Sequence, residues 1–234
     1  MSGFEVSFFS FVDKNKILIF DYALDHKRAF DNDNGPNTGG MGAFTPSKKI
    51  TKKLYKNIVE TIINPTKKAF DKENIVFQGI LFFGIMVTDS GPKIIEYNAR
   101  FGDPECQSIM RKVKNNFLDV LYDTSTNNIK KLPSIVDNDV SVCVILASKG
   151  YPEKFKINFE IKNIERANNI KGVKVFHCGT KLKNEKIFSS GGRVLAITAK
   201  DSNLKKAREK VYKALKIIDW KHGYFRTDIG LKNF

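Results

Sequence analysis

The chain has 234 residues, room for two modest domains, and its 41% apolar content with no eighteen-residue apolar run describes a globular protein rather than one that crosses a membrane with helices. A formal charge of +15 is a footprint shared with nucleic-acid binders. The cations, however, are mostly lysine, scattered along the chain with no aromatic ladder and no recognised nucleic-acid motif. No nucleic acid or membrane partner is expected, and the positive field favours small anionic substrates.

In chain order, Phe4 to Val12, with period-two apolar positions Phe4, Val6 and Phe8, and Ile17 to Tyr22 predict a hairpin around Asp13-Lys14-Asn15-Lys16. The stretch from Asp25 to Thr45 has no clear strand or helix period, and a loop of that length in a compact domain is usually functional or disordered. It opens with Asp25-His26-Lys27-Arg28 and continues into Gly35-Pro36-Asn37-Thr38-Gly39-Gly40-Met41-Gly42. Four glycines so close together let the backbone reach positive φ and expose N–H groups to an anion, with a simple surface turn as the bland reading. Ile50, Leu54, Ile58 and Ile62 recur every four residues, which predicts an amphipathic helix that Pro65 ends or kinks.

Apolar residues from Ile75 to Val87 and again from Lys93 to Tyr97 flank Thr88-Asp89-Ser90-Gly91-Pro92 and read as a second hairpin. Glu96 and Asn98 stand two apart at its end, so strand geometry points both to one face. A carboxylate and an amide oxygen together are hard ligands of the kind Mg²⁺ accepts when phosphates complete its shell; a solvent-facing polar edge is the equal alternative. Arg100 follows as a fork for phosphate or carboxylate. In Asp103-Pro104-Glu105, Asp103 is expected to cap a helix, Pro104 to take its first position and Glu105 to favour its positive end.

Phe117, Leu118, Val120 and Leu121 suggest a further helix, and the polar run from about Asn127 to Asn138, with Pro133, a boundary. Beyond it, Val140 to Ala147, Val173 to Phe176 and Val194 to Ala199 read as strands, Gly191-Gly192 as a turn, and Ser202 as the cap of a helix through about Ile218. The expected division is 1–128, a linker at 129–138, and a small α+β domain at 139–234. Cys106, Cys143 and Cys178 form no CxxC pattern, so neither a zinc site nor a disulfide framework is expected, and Cys106 reads as a small packed hydrophobe. Of the three histidines, His26 lies within the charged motif and could meet a ligand, while His177 reads as structural.

The phrases Asp25-His26-Lys27-Arg28, Asp33 to Ala43, and Glu96-Tyr97-Asn98-Ala99-Arg100-Phe101-Gly102-Asp103-Pro104-Glu105 together resemble the phosphoribosylamine–glycine ligase family of purine biosynthesis. The resemblance continues through Ala147 to Pro152, Val175 to Leu182, Gly191 to Leu195 and Arg226 to Gly230, covering essentially the whole chain. It implies an α+β fold: the C-terminal part of an ATP-grasp domain, an antiparallel sheet with covering helices, followed by the small C-terminal domain. It also implies an ATP-dependent carboxylate–amine ligase that joins glycine to 5-phosphoribosylamine through glycyl phosphate.

Carried over residue by residue, the resemblance makes Glu96 and Asn98 ligands of Mg²⁺ or Mn²⁺. Arg100, Lys27 and Asp103 become catalytic, and Asp25, Arg28, Asn37, Thr38, Gly39, Gly40, Gly42 and Glu105 contact substrate or phosphate. Members of the family are roughly twice this long, since an ordinary domain or more precedes the matched part. On that expectation the N-terminal domain and the nucleotide-clamping subdomain are missing and the chain alone turns over little. One half of a split enzyme, with a separate N-terminal half as its partner, and a non-catalytic relic are the alternatives, with a basic nucleic-acid binder behind them. No signal-peptide pattern is present, and a cytoplasmic location is expected.

Overall fold

The computed structural model describes residues 2–114, 116–129 and 136–231. Two compact units emerge: Met1–Leu24 with Pro46–Gly102 and Val113–Asp137, and Asp25–Thr45 with Asp103–Lys112 and Asn138–Phe234. Much of the expected linker, 130–135, lies outside the described residues. Segments 25–45 and 103–112 thus belong to the second unit although they are embedded in the sequence of the first.

The first unit is built on an antiparallel sheet in the order β2-β1-β6-β7, with β1 Phe4–Val12, β2 Ile17–Asp25, β6 Gly79–Thr88 and β7 Gly91–Asn98. Both expected hairpins are present; the second starts at Gly79 rather than Ile75 and turns at Asp89-Ser90. One face is covered by α1 Lys52–Ile58, a π-helical turn Val59–Ile63 and α2 Asn64–Lys72. Pro65 does not end this helix. The π turn moves the bond of Asn64 N–H to Val59 O, so the chain passes the imide nitrogen and continues. Tyr55 of α1 packs on Phe8, 5.6 Å between ring centroids, and Thr66 Oγ1 meets Tyr97 Oη at 2.9 Å. On the opposite face Phe9, Phe11, Phe20, Phe82 and Phe101 form an aromatic layer joined by Phe117 of α4 Phe117–Ser125. Only Val120 and Thr124 of α4 are buried, and Leu118 points to solvent.

The second unit carries an antiparallel sheet in the order β10-β13-β8-β5: β10 Val173–His177, β13 Arg193–Asp201, β8 Val140–Ser148 and β5 Gly42–Thr45, with β14 Gly223–Tyr224 also pairing β8. A small sheet joins β9 Glu160–Ile161, β11 Thr180–Lys183 and β12 Lys186–Ser189. Helix α6 Leu204–Ile217 buries Ala207, Val211, Ala214 and Leu215, the stripe its spacing predicts. Its cap is Asn203, whose Oδ1 accepts from Lys206 N, and not Ser202, whose hydroxyl instead donates to Asp201. Helix α5 Ile164–Asn168 and helix α3 Glu105–Met110 complete the unit.

The glycine-rich stretch is less of a loop than its sequence indicates. It contains β3 Arg28–Phe30 and β4 Asn34–Asn37, which pair with each other, and β5, which pairs with the remote β8 through Gly42↔Val144. A strand whose partner lies some hundred residues away has too little local signal to be read from period.

Candidate ligand site

In the first unit, Glu96, Tyr97 and Asn98 pair in regular register with Gly84, Phe83 and Phe82. Tyr97 is turned to the helix-covered face, where it meets Phe83 edge-on at 5.4 Å and Thr66. Alternation therefore puts Glu96 and Asn98 together on the other face. Gly84 makes room for the first of them: a Cβ there would lie 2.9 Å from Glu96 Cγ. Glu96 is exposed and Asn98 half-buried across from Phe82 in the aromatic layer. Arg100, also exposed, donates one guanidinium bond to Phe101 O at 2.8 Å. No cluster of three or more His, Cys, Asp and Glu that could hold a metal occurs among the described residues. Two hard oxygen donors on one strand face suit a small divalent cation that takes its remaining ligands from phosphate and water.

The second unit holds the remaining candidates, Asp25, Lys27, Arg28, Asn37, Thr38, Gly39, Gly40, Gly42, Asp103 and Glu105. Here the loop differs from the amide-baring cradle that its composition suggests. Thr38 N donates to Lys27 O, Gly39 N to Tyr151 Oη, Gly40 N to Thr38 Oγ1 and Met41 N to His26 O, all between 2.8 and 3.0 Å. These four amides are used within the unit. The glycines serve close approach instead. Gly40, at φ 112°, sits where a Cβ would fall 2.4 Å from Pro104 Cδ and 2.8 Å from Asp25 Oδ1, and one at Gly42 would fall 2.7 Å from Cys143 O.

Arg193, at the start of β13, binds the loop from a third direction, with Nη1 donating to Gly39 O at 2.9 Å, Asp103 O at 2.7 Å and Asp103 Oδ1 at 3.1 Å. Asp103 is therefore not the cap of α3. Pro104 holds the cap position without a side-chain bond, because the Asp103 carboxylate is taken by Arg193 and Gln107. Glu105 is buried in the first turn of α3, and Cys106 beside it has its thiol pushed up to about 11 by burial, then by Asp103 and Glu105. That thiol stays protonated and fits the packing role its sequence position suggests.

Behind this layer lies a buried ionic network. Arg226, 1% exposed, forks onto Asp228 through Nε and Nη2, both at 2.8 Å, reaches Asp33 Oδ1 at 2.9 Å and donates to Arg28 O at 3.0 Å. Burial by itself would raise the Asp228 carboxyl; its bonds to Arg226 and Asn32 N outweigh that and hold it well below the usual range. Arg28 in turn donates to Gly35 O at 2.8 Å. His26 is half-buried with Nδ1 shut off from solvent and unpartnered, and burial, then the charge of Arg226, lowers its pKa to about 4. A neutral imidazole facing Phe44 is what the structure holds at neutral pH.

The sequence reading passed over Tyr151 and Arg226 as functional candidates, and it set an approach of Gly191-Gly192-Arg193 to substrate behind a turn feeding a strand. Their motifs are visible, but Gly191-Gly192 reads as a turn, which it is, and nothing local shows the following arginine reaching residues 39 and 103.

The helix-covered antiparallel sheet of the first unit has the fold of the ATP-grasp class. Residues 1–106 match the family model for the phosphoribosylglycinamide synthetase ATP-grasp (A) domain, and residues 141–232 match the model for the C domain of the same synthetase. The chain belongs to the phosphoribosylglycinamide synthetase family.

It is 43% identical over 228 residues to the phosphoribosylamine–glycine ligase of Caldanaerobacter subterraneus subsp. tengcongensis, covering 97% of this chain and 54% of that protein. The crystal structure of the phosphoribosylamine–glycine ligase of Thermotoga maritima superposes with a TM-score of 0.86 at 30% identity, over 98% of this chain and 56% of that one. The biotin carboxylase of Campylobacter jejuni shares the fold, at a TM-score of 0.67 and 15% identity over 99% of this chain and 49% of that one. The chain spans about half the length of the curated relatives it matches.

Proposed function

We propose that this chain supplies the metal-binding face and the C-terminal domain of a phosphoribosylamine–glycine ligase, with 1–128 and 139–234 as its working parts. The observation that carries the reading is the ordered pair of family matches, A then C, on a chain whose β7 turns Glu96 and Asn98 to one face. In the reaction, a glycine carboxylate oxygen attacks the γ-phosphorus of ATP and the bond to ADP breaks. The amine of 5-phosphoribosylamine then attacks the acyl carbon of glycyl phosphate, phosphate leaves and a proton is released, giving glycinamide ribonucleotide.

Glu96 and Asn98 are the residues that would hold Mg²⁺ or Mn²⁺, which when bound offsets the charge on the phosphate oxygens. Arg100, exposed beside that pair, orients a carboxylate or phosphate through the donors it does not spend on Phe101. In the second unit, Lys27 and Arg28 serve phosphate. Asp25, Asn37, Thr38 and Gly39 form the surface against which substrate is placed, with Asp103 beside them, and the buried Gly40, Gly42 and Glu105 support that surface from behind. Because the loop amides are already bonded internally, this surface works through rigidity: its shape is set before substrate arrives. The reading places the reaction in the cytoplasm, and a separately encoded polypeptide carrying the rest of the enzyme is a partner it accommodates.

The test is reconstitution. The chain is purified with a polypeptide supplying the remaining length of its relatives, and glycinamide ribonucleotide formation is followed with ATP, glycine and freshly generated 5-phosphoribosylamine. Product that requires all three substrates and Mg²⁺ or Mn²⁺ supports the assignment. Two folded polypeptides that form a complex and make no product would remove it.

A further inference from the structure

The second unit contains a cavity of about 350 Å³ lined by Lys149, Lys154, Phe155, Lys156, Phe159 and His222. None of these residues is given a role in the ligase reading, although Lys149 lies within a phrase that carries the resemblance, and the volume lies at the small end of ligand-sized cavities, ~300–1,000 Å³. Its walls are fixed by backbone bonds. Lys149 N donates to His222 O at 2.8 Å, Asn158 N to Ser189 O at 2.8 Å and Phe159 N to Ser189 Oγ at 3.2 Å, and Glu153 N to Gly150 O closes a turn at 2.9 Å. Phe159 and His222 lie flat on each other, ring centroids 3.5 Å apart and planes 9° from parallel.

The charge around this cavity is one-sided. Three exposed lysines line it and no acidic residue does. The nearby Glu160 is occupied by Lys186 at 3.5 Å, and none of the three lysines has an ion-pair partner among the described residues. Like charges gathered without a counter-ion repel, and an anion in their midst relieves that repulsion. A flat aromatic stack with the exposed Phe155 ring beside it suits a planar ring, since ring faces stack without demanding a particular hydrogen-bond pattern.

We propose that this cavity binds a nucleoside monophosphate, its phosphate among Lys149, Lys154 and Lys156 and its base against Phe155 and the Phe159–His222 stack. Isothermal titration calorimetry on the full chain with AMP, adenosine and inorganic phosphate tests it. AMP is expected to bind with a dissociation constant below about 1 mM, and adenosine and phosphate each about tenfold or more weaker. The exposed double variant Lys154→Glu/Lys156→Glu, or the milder Lys154→Ala/Lys156→Ala should the first melt early, is expected to weaken AMP by about tenfold or more. His222→Ala weakens AMP and leaves phosphate unchanged.

Glu96→Ala is expected to leave AMP binding intact, which separates this cavity from the ligase assignment; loss of AMP binding in Glu96→Ala would place the nucleotide elsewhere and overturn the proposal. Absence of AMP binding, equal affinity for inorganic phosphate, or binding untouched by both lysine variants would overturn it as well. A single-stranded oligonucleotide that binds far more tightly than AMP and is displaced by salt would show the lysines to be a polymer surface instead.

Discussion

The end of β7 and the glycine-rich stretch are the two most informative phrases of the sequence, and the structure treats them in opposite ways. Glu96 and Asn98 stand on a strand whose backbone is paired, and Arg100 follows two residues past its end; Glu96 and Arg100 are exposed and Asn98 is half-buried, so this region offers ligand capacity on a rigid base. The stretch from Asp25 to Gly42 spends its donors internally. Its amides bond to Lys27 O, Tyr151, Thr38 and His26 O, and its carbonyls are held by Arg193 and Arg28. A motif rich in glycine therefore does not by itself announce an open anion cradle. Glycine also permits three chain segments to touch, and the Cβ distances at Gly40 and Gly42 show that this is its use here.

If that contrast is right, substitutions in the second region should cost stability and substitutions in the first should cost function. The largest effect is expected at Arg226. Arg226→Met takes the guanidinium from the buried Asp228 carboxylate and from the exposed Asp33, and about 3–5 kcal/mol of unfolding free energy should be lost, most of it at Asp228. Urea unfolding of the chain measures it; a loss below about 1 kcal/mol would mean that the network is bystander chemistry. Glu96→Ala should do the reverse. Being exposed, it should leave stability within about 0.5 kcal/mol, while turnover of the reconstituted ligase falls by more than ~100-fold. Wild-type turnover with unchanged Mg²⁺ dependence would end the metal assignment.

Gly40→Ala probes the close approach directly. With φ at 112° and a Cβ 2.4 Å from Pro104 Cδ, the added methyl should cost about 2 kcal/mol through strain and overpacking together. Were the loop an open cradle able to shift, the melting temperature would not move, and the contrast between the two regions would lose its basis.

How much of this was legible follows the reach of each interaction. Both hairpins of the first unit and the strands Val140–Ser148, Val173–His177 and Arg193–Asp201 could be read because an apolar run bounded by turn residues is a local property. The stripe of α6 was legible for the same reason. What escaped depends on partners distant in sequence. The strand Gly42–Thr45 exists because of Val142 to Val144, Asp103 leaves its expected capping role because Arg193 claims its carboxylate, and Arg226 finds Asp33 across most of the chain. The pairing of Glu96 with Asn98 needed only the two-residue period and was readable at once. The π turn at Val59–Ile63 was hidden for a different reason: Pro65 signals a break, and a bulge one turn earlier absorbs it without one.

The smallest effect separates the regions by pH. His26 has its pKa lowered to about 4, first by burial and then by Arg226, against an ordinary value of 6.5. The unfolded chain therefore binds the proton first as pH falls. The stabilisation is complete above about pH 6.5 and is withdrawn progressively toward about pH 4, so stability should rise with pH across this window; the full shift corresponds to about 3 kcal/mol, which partial exposure of the residue reduces to of order 1–2 kcal/mol. His26→Gln has nothing to titrate there and should show a flatter profile between pH 4.5 and 6.5, while Glu96→Ala should keep the wild-type slope in that range. Chemical denaturation at stepped pH reads both. Equal slopes in wild type and His26→Gln would show that the imidazole is open to water, and with it that the glycine-rich stretch is looser than its hydrogen bonds describe.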